Sequence, residues 1–271
     1  MAKKEEVQQS SDETALAEIK KQELAMAAMY AADSGSGFEE ADSSAFAIPF
    51  LRVLQSTSPQ CKKSDGAYIK GAEEGMIYNT VTGEIYDGEK GVVVIPCHYN
   101  QRYIEWEPRD QGGGFVAEYL PNDEIVNTTT KNEKNQDVLP NGNSLVDTRN
   151  HFVLMLDDED NLSPALIAMS STMIKVSKNW MSKMQGIKVK TPEGQFKIAP
   201  MHSRKYRLTT VPKSNESGSW FVFNVELEGL VLDPAAYAAA GEFREAVRSG
   251  QAQAKHENES TGTAGEENVA F

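Results

Sequence analysis

The stretch GVVVIPCHYNQRYIEWEP, residues 91–108, decides the fold class. It is filled with β-branched and aromatic residues, which favour extended strands. Pro96 has no backbone N–H to donate to a sheet, so it predicts an interruption of the strand at that point. The composition and length of the stretch nonetheless indicate a long strand in a β-domain.

Shorter strand-like runs, separated by turn residues, continue on both sides of this stretch. Upstream, MIYNTVTGEIYDG (76–88) holds two brief runs around Thr82-Gly83, which is a hairpin signal. The downstream runs are FVAEYL (115–120), HFVLMLDDEDN (151–161), ALIAMSS (165–171), IKVKTPEGQFKIAP (187–200), KYRLTTV (205–211) and SWFVFNVELEGLVL (219–232). Many short strands at this spacing predict an all-β barrel or sandwich.

Two helices are predicted among and after these strands. In SSTMIKVSKNWMSKMQG (170–186), apolar residues that include Trp180 recur at helical spacing, and the lysines fall on the other side. In DPAAYAAAGEFREAVRSG (233–250), Asp233 suits the N-cap and Pro234 the first turn. The chain is therefore expected to be mainly β, with one helix between two groups of strands.

Composition divides the chain into four regions. Residues 1–45 form an acidic, partly helical arm and linker, 46–232 the β-domain, 233–249 a C-terminal helix, and 250–271 a disordered acidic tail. No apolar run is long enough to cross a bilayer, so no membrane partner is expected. With two cysteines and no secretory signal, we expect a soluble, cytoplasmic protein.

The charge of the chain is distributed very unevenly. The formal net charge is −13, which by itself argues against binding to nucleic acid. However, residues 175–213 carry ten cations and one acid, Glu193, which gives this segment a local charge of +9. Lysines that only blunt exposed strand edges are the simpler explanation. Because ten cations accompany one acid, a groove for an anionic polymer is the better one.

Alternation along the strands predicts where these cations point. Either side of the turn TPEG, we expect one face to be buried, formed by Ile187, Val189, Phe196 and Ile198. The opposite face would then carry three lysines. The predicted nucleic-acid-binding residues are Lys175, Lys178, Lys183, Lys188, Lys190, Lys197, Arg204, Lys205, Tyr206, Arg207, Arg102 and Tyr103.

Two of these residues are chosen as stacking platforms for unpaired bases. Tyr103 and Tyr206 each lie beside an arginine, an arrangement that suits stacking on a base next to a phosphate. Trp180 is more consistent with the core, because it lies on the apolar stripe of its helix.

No catalytic or metal-binding motif stands out. The four histidines are scattered, and no nucleotide-binding loop is present. The acidic run LDDEDN (156–161) could bind a divalent ion, although an acidic turn between two strands is the preferred interpretation. We therefore expect a protein that is not an enzyme and needs no cofactor or metal.

The last residues complete the pattern. The tail HENESTGTAGEENVAF (256–271) is acidic and ends in an aromatic residue; its relevant members are Glu257, Glu259, Glu266, Glu267 and Phe271. With a β-domain and a basic surface, the chain resembles phage-type single-stranded-DNA-binding proteins, whose acidic C-terminal tail closes with Phe. Its penultimate residue is Ala270, where the bacterial proteins of this kind have Pro.

The resemblance implies a fold, and it implies separate roles for the barrel and the C-terminal tail. The fold would be an OB-like barrel, which commonly carries one helix between its strands, and the barrel would hold single-stranded DNA with little sequence preference. Glu266, Glu267 and Phe271 would recruit replication or recombination enzymes. A phage structural or assembly protein, in which the β-domain and the N-terminal helix build a homo-oligomer, is an alternative. An annealing recombinase or an inhibitor of a host DNA-binding enzyme are others.

Overall fold

The computed structural model describes residues 19–22, 26–27, 29–41, 46–108, 111–216 and 218–253. The chain separates into two compact units, residues 1–45 and 46–271. In the first unit, residues 19–22, 26–27 and 29–32 are helical. The second unit contains all the strands described below and the two longest continuous helices of the described residues.

The second unit is mainly β. Its strands are β1 (Leu51–Val53), β2 (Ile77–Asn79), β3 (Ile85–Tyr86), β4 (Val92–Trp106), β5 (Phe115–Tyr119), β6 (Thr130–Lys131), β7 (Asp137–Val138), β8 (Ser144–Leu156), β9 (Leu162–Ser170), β10 (Lys188–Lys190), β11 (Phe196–Ile198), β12 (Arg204–Asn215) and β13 (Gly218–Leu230). The helices are α1 (Ile174–Gly186) and α2 (Pro234–Arg248). Short 3-10 helices span Pro59–Cys61, Glu124–Thr128, Ser171–Met173 and Met201–Ser203.

Five long antiparallel strands build the main sheet. Across the sheet they run in the order β9, β8, β4, β12, β13, and α1 lies in the chain between β9 and β12. The sheet curls into a half-barrel, and the arrangement is consistent with the OB-like barrel that we expected. The predicted hairpin around Thr82-Gly83 is also present, because β2 pairs with β3.

Strand β4 shows why the predicted break at Pro96 does not occur. β4 runs without interruption from Val92 to Trp106, and its pairing with β8 shifts register between Pro96 and His98. A β-bulge at this point accommodates a residue that cannot donate a ladder hydrogen bond. The prediction of a broken strand was therefore wrong, and the proline instead marks a bend in one continuous strand.

The segment around β1 bridges the two outer strands of the half-barrel. Phe50 forms a parallel bridge with Leu166 of β9. The side-chain amide of Gln55 donates to the backbone carbonyl of Phe221 in β13 at 2.9 Å, and its oxygen accepts from the Phe221 N–H at 2.9 Å. Gln55 thus offers the edge strand a donor and an acceptor, as a neighbouring strand would.

The interior of the barrel holds the largest buried cluster. It combines residues from β1, β2, β4, β8, β9, α1, β12 and β13, among them Trp180, Tyr206 and Phe223, whose exposures are 1%, 1% and 2%. Burial of large aromatic side chains contributes strongly to stability. Helix α1 therefore belongs to the core of the barrel.

Helix α2 covers a different surface. Its residues Ala236 and Ala240 pack with Ile95, Cys97 and Leu154, on strands β4 and β8. Phe243 of the same helix contacts Phe152 of β8 edge-on, with ring centroids 6.5 Å apart. These strand residues alternate with those that point into the barrel, so α2 covers the outer face of the sheet.

A long connection joins β4 to β8 and is fixed by a buried carboxylate. Glu105, which is 3% exposed, accepts hydrogen bonds from the Tyr119 hydroxyl at 2.6 Å and from the side-chain amides of Asn141 and Asn143 at 2.9 and 2.6 Å. Satisfied in this way, the buried carboxylate holds β5 and the loop before β8 against β4.

Candidate nucleic-acid interface

Helix α1 presents lysines because its apolar stripe is fixed in the core. Trp180 is buried, and Ser177 hydrogen-bonds Nε2 of His151 at 2.8 Å. With this face held inward, Lys175 and Lys178 lie on the exposed side. The helix sequence contains no acidic residue to pair with them.

Lys183 is also exposed, but it has a structural contact. Its ammonium group donates a hydrogen bond to the backbone carbonyl of Val225 in β13 at 3.2 Å. This bond ties the C-terminal part of α1 to the edge strand of the sheet. Lys183 is therefore less available to a ligand than the two lysines that precede it.

The β10–β11 hairpin follows α1 directly, and its strand residues are exposed except Val189, which is half-buried. Lys188 is paired with Ile198, Val189 with Lys197, and Lys190 with Phe196. Residues directly opposite in an antiparallel pair share a face. The lysines at 188 and 190 therefore lie beside Phe196 and Ile198, and Lys197 lies on the other face.

This register corrects the prediction that Phe196 and Ile198 are buried with Val189. The exposures of Phe196 and Ile198 are 69% and 57%. The backbone N–H of Thr191 donates to the carbonyl of Gln195, leaving a three-residue loop that ends at Gly194. The prediction counted the alternation of side chains across the turn without knowing this pairing. It therefore assigned the side chains of the second strand to the wrong faces.

We call the exposed lysines of α1 and the hairpin that have no hydrogen-bonded or ionic partner among the described residues the lysine surface. Its members are Lys175, Lys178, Lys188, Lys190 and Lys197. None of them forms a salt bridge within the described part of the chain, where the ion pairs involve other residues. Glu193, at the tip of the hairpin, is the acid nearest to them in sequence.

Strand β12 carries predicted cations in a different environment. Arg207 makes a two-pronged contact with Glu228 of β13, with Nε–Oε2 and Nη2–Oε1 distances of 2.9 and 2.7 Å. The hydrogen bond from Arg207 holds the pKa of the Glu228 carboxyl below its usual value. Arg204 donates to the carbonyl of Ser203, and Lys205 is half-buried. The positive charge that β12 would add to a nucleic-acid-binding surface is therefore partly neutralised.

Tyr206 does not belong to a binding surface. Its side chain is 1% exposed and meets Trp180 edge-on inside the barrel, with ring centroids 5.6 Å apart. The prediction that its ring stacks on a base is wrong for this structure, because no base could reach it. The alternation of Tyr206 with Lys205 and Arg207 along the strand is the sequence signal that could have identified it as a core residue.

Arg102 and Tyr103 are not brought into one contact. They are consecutive residues of β4 and so point to opposite faces of the sheet. The Arg102 Nε lies 2.7 Å from Oε1 of Glu118, in a salt bridge. Tyr103 is half-buried opposite Asp147.

Asp147 also lines a cleft at the start of α1. The cleft has a volume of about 400 Å³ and lies between the β6–β7 hairpin, the beginning of β8 and the segment Ser171–Ile174. Lys131 and Lys134 are among its lining residues, and Lys131 is paired with Asp137 at 2.8 Å. The cleft is therefore lined by side chains of both charges, and Tyr103 is not among the described residues that line it.

Comparison with models of protein families identifies the family of this chain. The family model of the Pam3 phage gp34-like proteins matches residues 19–253, which is the full span of the described residues. The chain belongs to the Pam3 phage gp34-like family. This membership indicates a phage protein. No curated protein matches the chain, and no solved structure does either.

The matched region of this gp34-like protein ends before the acidic tail. Glu257, Glu259, Glu266, Glu267 and Phe271, the tail residues of the sequence prediction, lie outside the described residues. Within the described part, no helix is long and apolar enough to cross a membrane.

Two arrangements in this structure resemble catalytic or metal sites, and both make local structural contacts. The Ser177–His151 pair could suggest a nucleophile and base, but both side chains are 1% exposed and face the core. Asp157 of the acidic run accepts hydrogen bonds from the backbone N–H groups of Glu159 and Asn161, which closes the turn between β8 and β9. Among the described residues, no three candidate ligands are grouped as a metal site.

Proposed function

We propose that this protein binds single-stranded DNA without catalysing a reaction, in phage DNA replication or recombination. The observation that carries the proposal is the lysine surface. Five exposed lysines on α1 and the adjoining hairpin have no acidic partner among the residues described, in a chain with a net charge of −13. An unneutralised cationic surface on an acidic protein fits a polyanionic ligand.

The fold restricts where a DNA strand could bind. OB folds bind oligonucleotides with the face formed by their second and third strands, and with adjacent loops. In this protein the outer face of the sheet is covered where α2 packs on Phe152 of β8 and Leu166 of β9. The DNA strand is therefore proposed to follow α1 and the β10–β11 hairpin, and not the covered face.

Recruitment of partners is the second part of the proposal. Glu266, Glu267 and Phe271 would bind replication or recombination enzymes once DNA has displaced the tail from the lysine surface. Removing residues from Lys255 onward should strengthen DNA binding at low salt and abolish binding to these enzymes. If the shortened chain behaves like the full chain in both assays, the tail has no such role.

The test of DNA binding is a matched pair of charge reversals. The first variant carries Lys178→Glu, Lys188→Glu and Lys190→Glu, and the control carries Lys62→Glu, Lys63→Glu and Lys70→Glu. The control lysines are also exposed, so both variants change the net charge equally. Fluorescence anisotropy with an oligo-dT strand and with duplex DNA, across a salt series, measures binding.

We expect the wild-type protein to prefer the single strand, with an affinity that falls steeply with salt. The first variant should lose affinity and reduce the slope of log K against log salt by about 2, since each phosphate contact on a single strand contributes about 0.7. The control variant should keep the wild-type slope. A wild-type protein without salt-dependent affinity for the single strand would refute the proposal and favour a structural or inhibitory role.

A further inference from the structure

The β10–β11 hairpin exposes two large apolar side chains that are not buried in the core of the barrel. The two strands form a sheet of their own, separate from the main sheet. Phe196 and Ile198 are 69% and 57% exposed. A two-stranded hairpin is only marginally stable by itself. Packing within the described fold therefore does not explain why these positions are apolar.

The register places each apolar side chain beside a lysine. Phe196 is directly opposite Lys190, and Ile198 is directly opposite Lys188. Side chains opposite each other in an antiparallel pair have Cβ atoms about 4.5–5.5 Å apart. One face of the hairpin is therefore a small patch in which two cations lie next to an aromatic ring and an aliphatic side chain.

This combination matches the chemistry of an unpaired nucleotide. Bases stack on aromatic rings whatever their sequence, and lysines hold the phosphates on either side. A duplex has no free base faces to offer to such a ring. A partner protein or a second copy that covered Phe196 and Ile198 would also have to neutralise two lysines, whereas a nucleic-acid strand supplies base and phosphate together.

We propose that Phe196 stacks on a base of the bound single strand, with Lys188 and Lys190 on its phosphates and Ile198 against the base or its sugar. The proposal rests on the proposed function and assigns to the hairpin the recognition of unpaired bases. It adds two residues that the sequence pattern had placed in the core. It also gives the lysine surface a means of distinguishing a single strand from a duplex.

The test compares Phe196→Ala with Lys190→Gln in the full-length chain. A stacked base contributes about 1–3 kcal/mol, so Phe196→Ala should weaken binding of oligo-dT by about 5- to 150-fold. It should leave the salt slope unchanged, because a ring releases no counterions. Lys190→Gln should instead reduce the slope by about 0.7. Phe196→Trp keeps an aromatic ring and should therefore bind oligo-dT about as tightly as the wild type.

Tyr30→Ala is the matched control, since Tyr30 is an aromatic residue of similar exposure, 67%, in the N-terminal unit. It should leave DNA binding unchanged. An oligonucleotide that contains 2-aminopurine gives an independent readout, because its fluorescence should be quenched by the wild-type protein and less by Phe196→Ala.

The outcomes separate the two proposals. If the wild-type protein binds oligo-dT and Phe196→Ala binds equally well, the stacking role is refuted while the proposed function stands. If the wild-type protein does not bind, the proposed function itself fails. If Phe196→Ala changes the sedimentation of the protein but not its DNA affinity, the patch is a contact between copies and the inference is overturned.

Discussion

The two long helices of the β unit are similar in length but differ in their exposed charges. In α2, Glu245 forms salt bridges with Arg244 and with Arg248, the latter at 2.9 Å. In α1, the exposed lysines have no acid in the same helix. Both helices bury an apolar stripe, so packing does not account for the difference. The charged residues of α2 include internal ion pairs, whereas the cations of α1 have no acid in the same helix.

The N-terminal ends of the two helices also differ. The Asp233 carboxylate accepts hydrogen bonds from the backbone N–H groups of Ala235 and Ala236 at the start of α2, at 3.0 and 3.2 Å. No side chain caps the start of α1. The start of α2 is therefore capped by a side chain, whereas the start of α1 is not. If the proposed function holds, the surface of α1 is shaped by a ligand more than by stability.

Replacing the aromatic anchor of α1 should produce the largest effect. Trp180→Ala should lower the free energy of unfolding by about 3–5 kcal/mol, since it leaves a cavity between His151 and Tyr206. Phe243→Ala in α2 should be less harmful, because Phe243 is only half-buried. Urea unfolding of both variants measures the difference. An equal loss in both would show that α1 and α2 are equally important to the core.

Acid should unfold the protein partly through the residue that contacts α1. Burial lowers the pKa of His151 to about 3, against an ordinary value near 6.5. Between these values the unfolded chain binds a proton that the folded protein does not. Stability should therefore fall as pH decreases from about 6.5 towards 3, by about 1.4 kcal/mol per pH unit for this group.

The variant His151→Gln isolates this contribution. It should be less stable than the wild type at pH 7, and its stability should depend less on pH in the same window. Burial also lowers the pKa of His202, so some dependence should remain. Urea unfolding at several pH values provides the data. An unchanged slope in His151→Gln would assign the acid sensitivity to other groups.

Removing the cap of α2 should have a smaller effect. Asp233→Ala leaves two backbone N–H groups at the start of the helix without their acceptor, at a cost of about 1 kcal/mol. Asp233→Asn is the control and should lose less, because its side-chain oxygen can still accept. Thermal unfolding of the two variants checks this. A loss of equal size in both would point to the charge of Asp233 and not to its hydrogen bonds.

The sequence predicted those features that depend on local pattern. The helix with its buried Trp180 and outward lysines, the Asp233 cap and the mainly β fold all follow from spacing and residue type. The neutralisation of Arg207 by Glu228 could not be predicted in this way, because the acid comes from a strand about twenty residues further on. The exposed face of the β10–β11 hairpin was missed for a related reason, since it depends on the strand register across the turn.

The smallest expected effect tests the comparison most directly. Lys175 lies in the first turn of α1, where the helix dipole disfavours a cation, and three residues before Lys178, where like charges repel. Lys175→Glu should therefore stabilise the protein by about 0.5–1 kcal/mol while weakening its binding to oligo-dT. Arg248→Glu at the end of α2 is the control. It should lower stability by a similar amount, because it breaks the salt bridge with Glu245, and leave DNA binding nearly unchanged.

If Lys175→Glu raises the free energy of unfolding but weakens binding to oligo-dT, Lys175 contributes to ligand binding and not to the stability of the fold. Urea unfolding and anisotropy on the same protein samples measure both quantities. If Lys175→Glu is destabilising, the contrast between the helices does not reflect a trade between stability and binding. In that case, the unpaired lysines of α1 stabilise the helix in a way that the contacts in this structure do not explain.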